Sequence, residues 1–241
     1  MRLFLLLIPL LVATCSKESV TPMQSPGSPA PPPAPEADTT ISYLALGDSY
    51  TIGTSVEEDE RWPYQLSIAL AERQGIAVAP LTYVARNGWR TDNLANALES
   101  DPPASDFDLV SLLIGVNDQY QGFNAEGYAG RFEGLLRRAI GFAGGDSSKV
   151  FVVSIPDYAY TPFGQGDERI SRELDAFNAT AERICQRYRI PFYNITPISR
   201  RAQDDPALVA GDGLHPSGKQ YGLWVDEVLL QPVADLIRYG G

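Results

Sequence analysis

The chain has 241 residues, 44% of them apolar, and a formal net charge of −11 at neutral pH. That apolar fraction can fill the core of one large domain or two small ones, which excludes a wholly disordered chain. The acidity and the lack of any basic stripe exclude nucleic-acid binding, because phosphate contacts need clustered Lys and Arg. Acidity of this size is mainly a statement about solubility.

Arg2 is followed by an apolar run from Leu3 to Val12, interrupted by Pro9 and ending at Ala13-Thr14-Cys15. Such a run suits the core of a signal peptide and is too short to span a bilayer. Residues 1–15 therefore read as a signal peptide. The small residues before Cys15 resemble the lipobox of bacterial lipoproteins, in which that cysteine is lipidated after cleavage. Residues 16–40 form a Pro/Ser/Thr/Ala tract that has too few apolar residues to offset the entropy of ordering and is kept extended by its prolines. It reads as a tether. The expected location is the bacterial cell envelope, as a periplasmic or surface lipoprotein held to the membrane through Cys15. If Cys15 carries lipid, Cys185 has no disulfide partner. It shares an apolar helical face with Leu174, Phe177, Ala181, Ile184 and Tyr188, which predicts a buried, inert thiol.

From Ile41 onward strand-like runs alternate with amphipathic segments. Ile41–Leu46 is a short apolar strand stopped by Gly47. Residues 61–73 put Trp62, Leu66, Ala69 and Leu70 on one helical face. Ile76–Ala85 is a second strand, broken by Asn87-Gly88, and Thr91 is placed to cap a short helix carrying Leu94, Ala97 and Leu98. Leu109–Ile114 is apolar enough to be a strand buried on both faces. A helix with Tyr128, Phe132, Leu135, Leu136, Ala139 and Ile140 on one face precedes a fourth strand at 150–153. The helix at 167–189 holds Cys185, and Pro191–Ile195 reads as a fifth strand. The last helix carries a stripe from Tyr221 to Ile237 that Pro232 kinks or splits.

Five strands alternating with helices imply βαβ crossovers, hence a mostly parallel sheet covered on both faces in one domain over residues 41–241. Ligands of open sheets of this kind sit beyond the carboxyl ends of the strands. Three polar clusters fall at such ends: Gly47-Asp48-Ser49, Asn87-Gly88 and Gly115-Val116-Asn117-Asp118. A fourth, Asp212-Gly213-Leu214-His215, precedes the last helix and holds the only histidine in the chain. Their chemistry is complementary. A serine hydroxyl is a weak nucleophile that needs a base, which His215 supplies if Asp212 orients its ring. Acyl transfer also puts charge on one oxygen, which needs converging donors. The backbone N–H of Ser49, a close backbone approach at Gly88 and the amide of Asn117 are candidates.

These four blocks, in this order, resemble those of the SGNH hydrolases, the GDSL lipase/esterase superfamily: Gly47-Asp48-Ser49-Tyr50, then Gly88, then Gly115-Val116-Asn117-Asp118, then Asp212-Gly213-Leu214-His215-Pro216. The resemblance implies a flavodoxin-like three-layer α/β/α sandwich. It also implies Ser49 as nucleophile, His215 as base and Asp212 as its partner, with Ser49, Gly88 and Asn117 as oxyanion hole and no metal or organic cofactor. The expected activity is cleavage of carboxylic esters, in the manner of lysophospholipases, thioesterases or short-chain arylesterases, with carbohydrate deacetylation as the alternative within the family. The expected partner is a small ester substrate (acyl ester, lysolipid or acetylated sugar), and the chain is expected to act as a monomer.

Competing readings attach to the same residues. A second Gly145-Asp146-Ser147 precedes the fourth strand, at the wrong end of the sheet for catalysis. Asp48 and Asp118 suit loop hydrogen bonds, although paired carboxylates among Asp48, Asp118 and Asp212 would also describe a glycosidase. A surface binding lipoprotein without turnover is the non-enzymatic rival. Trp89, Tyr120, Tyr158, Tyr160 and Phe163 lie in loops on the proposed active-site side as a candidate acyl or sugar platform. Short connections without a lid predict an open site for small acyl groups.

Overall fold

The first strand, β1 (Thr39–Gly47), buries Tyr43, Leu44, Ala45 and Leu46 completely. Such a run needs strands on both edges and helices on both faces. A computed structural model describes residues 39–240 and supplies both. The signal-peptide and Cys15 assignments lie outside the described residues, as does all of the tether except its last two residues. Thr39 and Thr40 already pair with Ile76 and Ala77, so the first strand starts two residues earlier than its apolar run.

The sheet comprises β1, β2 (Ile76–Ala85), β3 (Leu109–Leu113), β4 (Val150–Val153) and β5 (Phe192–Tyr193) in the order β2-β1-β3-β4-β5, with every pairing parallel. The helices are α1 (Ser49–Ile52), α2 (Trp62–Gln74), α3 (Thr91–Ser100), α4 (Val116–Tyr120), α5 (Ala125–Phe142), α6 (Glu168–Tyr188), α7 (Thr196–Arg200), α8 (Gly218–Trp224) and α9 (Leu230–Tyr239). One layer packs α2 against α8 and α9; the other packs α5 against α3 and α6. The expected three-layer α/β/α sandwich is therefore the observed one. β1 and β3 are neighbours from which the chain departs in opposite directions, which makes their carboxyl ends the crevice where ligands enter this topology.

Two local expectations need correction. β5 is only two residues long, because the N–H groups of Ile195 and Thr196 turn away from the ladder to the Ser154 hydroxyl, at 2.9 and 3.2 Å. Thr91 is the first residue of α3 and not its cap: Arg90 occupies the cap position, and the Thr91 N–H and hydroxyl both bind Asp118. The C-terminal helix is split, as Pro232 predicts, but through a widened π-helical segment, Val225–Leu229, between α8 and α9. Pro232 has no N–H to offer the carbonyl one turn earlier, and the preceding turn expands. Among the described residues no helix is long and apolar enough to cross a membrane.

Candidate active site

Ser49 opens α1 directly after β1. Asp48 caps this helix, its Oδ1 accepting the Tyr50 N–H at 3.0 Å, and the Gly53 N–H closes the turn on the Ser49 carbonyl at 3.0 Å. This strand-to-helix turn crowds Gly47: a Cβ there would stand 2.1 Å from Thr51 Oγ1 and 2.5 Å from the Leu113 carbonyl. Glycine is thus what lets α1 sit over the end of β3. Burial pushes the Asp48 carboxyl up to about 8, against a partial offset from the Tyr50 N–H. Asp48 is completely buried, and its Oδ2 has no hydrogen-bond partner.

The segment around His215 is a tight loop closed by its own backbone. Val209 bridges Pro216, the Ala210 N–H donates to the His215 carbonyl at 2.8 Å, and Gly213 takes φ +75. Within it, Asp212 Oδ1 accepts the N–H groups of Leu214 and His215 at 2.9 and 3.0 Å, a turn that aspartate makes with its own chain. The other carboxylate oxygen meets His215 Nδ1 at 2.6 Å. The imidazole is buried and lies edge-on to the Tyr50 ring, with centroids 5.7 Å apart. Burial by itself would raise the Asp212 carboxyl, but hydrogen bonds from Ser55, His215 and the loop backbone outweigh it and hold Asp212 well below the usual carboxylate range.

The loops after β2 and β3 are fastened to each other. The Asn117 amide donates to the Trp89 carbonyl at 2.9 Å. Asp118, almost fully buried, takes the Thr91 N–H at 2.9 Å and its hydroxyl at 2.6 Å, with Arg131 Nε 3.4 Å away. Gly88 takes φ +79, and a Cβ there would meet nothing within 4 Å, so its glycine serves backbone conformation and leaves open space before it. Gly115 combines φ +131 with a Cβ position 2.7 Å from the Tyr128 ring.

Ser49, Asn117 and His215 line one cavity of about 240 Å³, together with Asn87, Val116, Tyr120, Tyr158, Phe163 and Leu214. The predicted triad and the Asn117 loop are therefore brought together from three chain segments. Gly88 is not a lining residue; its neighbour Asn87 is. Among the described residues no hydrogen bond joins the Ser49 hydroxyl to the imidazole, a separation that is common before substrate arrives. Of the aromatics predicted as a platform, Tyr120, Tyr158 and Phe163 cluster with ring centroids 6.0–6.5 Å apart. Trp89 and Tyr160 do not line the cavity: Trp89 packs on the core, and Tyr160 lies under the Arg200 guanidinium. A larger cleft of about 580 Å³ is lined by the same three residues.

Ser55 escaped sequence reasoning altogether. Its hydroxyl donates to Asp212 Oδ2 at 2.6 Å from 157 positions away, in a segment whose composition marks only a turn. Elsewhere the separations hold. Asp146 of the second Gly-Asp-Ser caps the short turn Ser147–Lys149 ahead of β4. Asp48 Oδ1 accepts the Tyr50 N–H, and Asp118 spends both oxygens on the N–H and hydroxyl of Thr91. Cys185 is fully buried, and burial pushes its thiol up to about 12. Among the described residues no three His, Cys, Asp or Glu side chains converge as metal ligands would.

Comparison with known proteins agrees with this fold. The fold is similar to that of a lipolytic protein of the G-D-S-L family from Veillonella parvula (17% identity, covering 76% of this chain and 93% of that one, TM-score 0.58). It is also similar to Axe2, an acetylxylan esterase from Geobacillus stearothermophilus (17%, 85% and 97%, TM-score 0.62), and to the psychrotrophic esterase EstA from Pseudoalteromonas sp., in a structure inhibited by monoethylphosphonate (20%, 78% and 93%, TM-score 0.55). No curated protein sequence matches the chain. The model of the GDSL-like Lipase/Acylhydrolase family matches residues 45–223, a span that holds Ser49, Gly88, Asn117, Asp212 and His215 together. With that match across most of the folded part, and the sheet order and strand-end clusters the fold requires, the chain belongs to the GDSL-like Lipase/Acylhydrolase family and is a hydrolase of ester bonds.

Proposed function

We propose that the protein is an exported serine esterase that cleaves small carboxylic esters through an acyl-enzyme on Ser49. The observation that carries this reading is the hydrogen bond from the imidazole of His215 to Asp212, 2.6 Å, on a ring that shares one cavity with Ser49 and Asn117. Asp212 holds the Nδ1 proton, which leaves Nε2 to take the Ser49 proton as the hydroxyl attacks the ester carbonyl. His215 then returns that proton to the leaving alcohol. Water, activated by the same ring, releases the acid. We infer that the Ser49 N–H, which has no partner within its short helix, and the Asn117 amide donate to the charge that develops on the carbonyl oxygen; the family resemblance assigns the third place to the N–H of Gly88, whose neighbour Asn87 lines the cavity.

A cavity of about 240 Å³ lies below the roughly 300–1,000 Å³ usual for ligand sites, which favours a short acyl group. The test is hydrolysis of p-nitrophenyl esters from acetate to palmitate by the wild type and by Ser49→Ala. A preference for acetate or butyrate, lost in Ser49→Ala, is expected. A strong preference for long chains would refute the small site, and equal rates for the two proteins would refute Ser49.

A carbohydrate deacetylase is the second reading, and the exposed rings of Tyr120 and Phe163 at the cavity mouth favour it, since sugar rings stack on aromatic faces. Faster turnover of acetylated oligosaccharides than of p-nitrophenyl acetate at matched concentration would select it. Export and membrane attachment through Cys15 rest on residues 1–40 alone. Incorporation of labelled fatty acid into the wild type but not into Cys15→Ser tests them.

A further inference from the structure

Ser55 stands in the left-handed backbone region, φ +68, which disfavours any side chain. Two residues earlier the same turn uses glycine, at φ +70. A residue kept where glycine would be easier points to work done by its side chain. Here the hydroxyl donates to Asp212 Oδ2 at 2.6 Å, the oxygen that also receives His215 Nδ1 at 2.6 Å. The remaining donors to Asp212, the N–H groups of Leu214 and His215, belong to its own loop. Among the described residues Ser55 is the donor that reaches this carboxylate from outside that loop.

Its other attachment is to the nucleophile. The N–H groups of Gly53 and Thr54 both donate to the Ser49 carbonyl at 3.0 Å, so the turn that presents Ser55 is built on the residue that presents the nucleophile. One hydrogen bond thereby ties the turn carrying Ser49 to the loop carrying Asp212 and His215, two segments with no common strand. A carboxylate fixed by loop neighbours alone is free to move with its loop; one also held from the Ser49 turn is fixed relative to the nucleophile.

We propose that Ser55 is a positioning residue of the esterase: its hydroxyl fixes Asp212, and through Asp212 it sets the His215 ring against Ser49. This rests on the triad reading above. The low-lying carboxyl of Asp212 accords with it, because Ser55 is the foremost of the hydrogen bonds that outweigh burial there. Ser55 touches no reacting atom, so its removal changes how often the triad is aligned and leaves the binding of small esters alone.

Two substitutions separate this role from a merely structural one. Ser55→Gly removes the hydroxyl and relieves the backbone. It is expected to unfold no earlier than the wild type yet to lose about 10 to 100-fold in kcat, the cost of a hydrogen bond to a charged group, with KM for p-nitrophenyl acetate within about twofold. Ser55→Thr keeps the hydroxyl but adds a β-branch at positive φ, so it is expected to melt earlier while restoring most of kcat at a temperature where it is folded. In a Asp212→Asn background, Ser55→Gly should cost little more. An undiminished kcat in Ser55→Gly, or the same fold-loss added on top of Asp212→Asn, overturns the proposal. Full activity in Ser49→Ala would instead overturn the triad reading itself, so the two failures are distinct.

Discussion

His215 Nδ1 and Asp212 Oδ2 stand 2.6 Å apart, while the second oxygen of the same carboxylate holds the backbone N–H of His215 at 3.0 Å. Asp212 thus fixes both the ring and the peptide that carries it. Because Asp212 is held well below the usual carboxylate range, it stays ionised from pH 5 to 8 and continues to accept the Nδ1 proton of His215. Kinetics of p-nitrophenyl acetate hydrolysis by the wild type and by Asp212→Asn measure what that acceptor contributes, and equal kcat values would contradict its role. Asp212→Asn should cost on the order of 10⁴ in kcat, as loss of the orienting acid does in serine proteases.

Asp48 gives a pH dependence that is seen in stability. Its carboxyl rises from 3.8 to about 8 on folding, so between those values the folded protein keeps a proton that the unfolded chain releases. The stabilisation from that proton is complete below pH 4 and is lost as pH rises through 8. Asp48→Asn keeps an oxygen for the Tyr50 N–H and removes the titration. Its melting temperature should vary less than that of the wild type between pH 5 and 9 and exceed it at pH 9. Parallel melting curves across that range would show that Asp48 is ionised in the folded protein.

Asp118 fastens the loop that carries Asn117 to the loop that carries Gly88. Asp118→Ala leaves the Thr91 N–H and hydroxyl without their acceptor and Arg131 without its ion-pair partner, and should destabilise the fold by about 2 kcal/mol or more. Its kcat should also fall, because the two loops lose their fixed spacing. Asn117→Ala should cost about 100 to 1,000-fold in kcat and, losing only the one hydrogen bond to the Trp89 carbonyl, less stability than Asp118→Ala. Denaturant titration and kinetics on both variants separate the strap from the donor; similar stability losses in both would merge them.

Two glycines near Ser49 should respond differently to alanine. At Gly47 a Cβ meets Thr51 and the Leu113 carbonyl well inside contact distance, so Gly47→Ala should cost about 1–3 kcal/mol and displace α1 with its serine. At Gly88 a Cβ meets open space, and the cost is the positive φ alone, about 1–2 kcal/mol. Thermal unfolding of both, with acetate-ester kinetics, is the check. Equal behaviour would mean that crowding at Gly47 is relieved by movement of α1.

Much of this site is legible in the residues themselves, for a physical reason. Ser49 and Asn117 follow apolar runs that read as buried strands, the Gly88 turn follows the half-buried edge strand β2, and the topology of parallel sheets sends the ends of such strands to one edge. His215 needs no search in a chain with one histidine. What local pattern does not carry is side-chain partnership across the fold. Thr91 reads as a cap because its neighbours are helical, yet its hydroxyl goes to Asp118, 27 residues on. Pro191–Ile195 is apolar enough for a longer strand, but Ser154 draws off two of its N–H groups. Ser55 has no periodicity to mark it, and its positive φ belongs to a turn that only the folded chain defines. Trp89 and Tyr160 share the loops of the other aromatics, but side-chain direction excludes them from the cavity.

The central claim, that Ser49 is the nucleophile of an esterase, is tested most directly by covalent capture. The protein is treated with a fluorophosphonate probe, digested, and the modified peptide sequenced by mass spectrometry, with Ser49→Ala and His215→Ala treated in parallel. One equivalent of probe is expected on Ser49 in the wild type, none in Ser49→Ala, and slow labelling in His215→Ala, which lacks the base. Labelling at another residue, or equal labelling of the wild type and Ser49→Ala, would contradict the account.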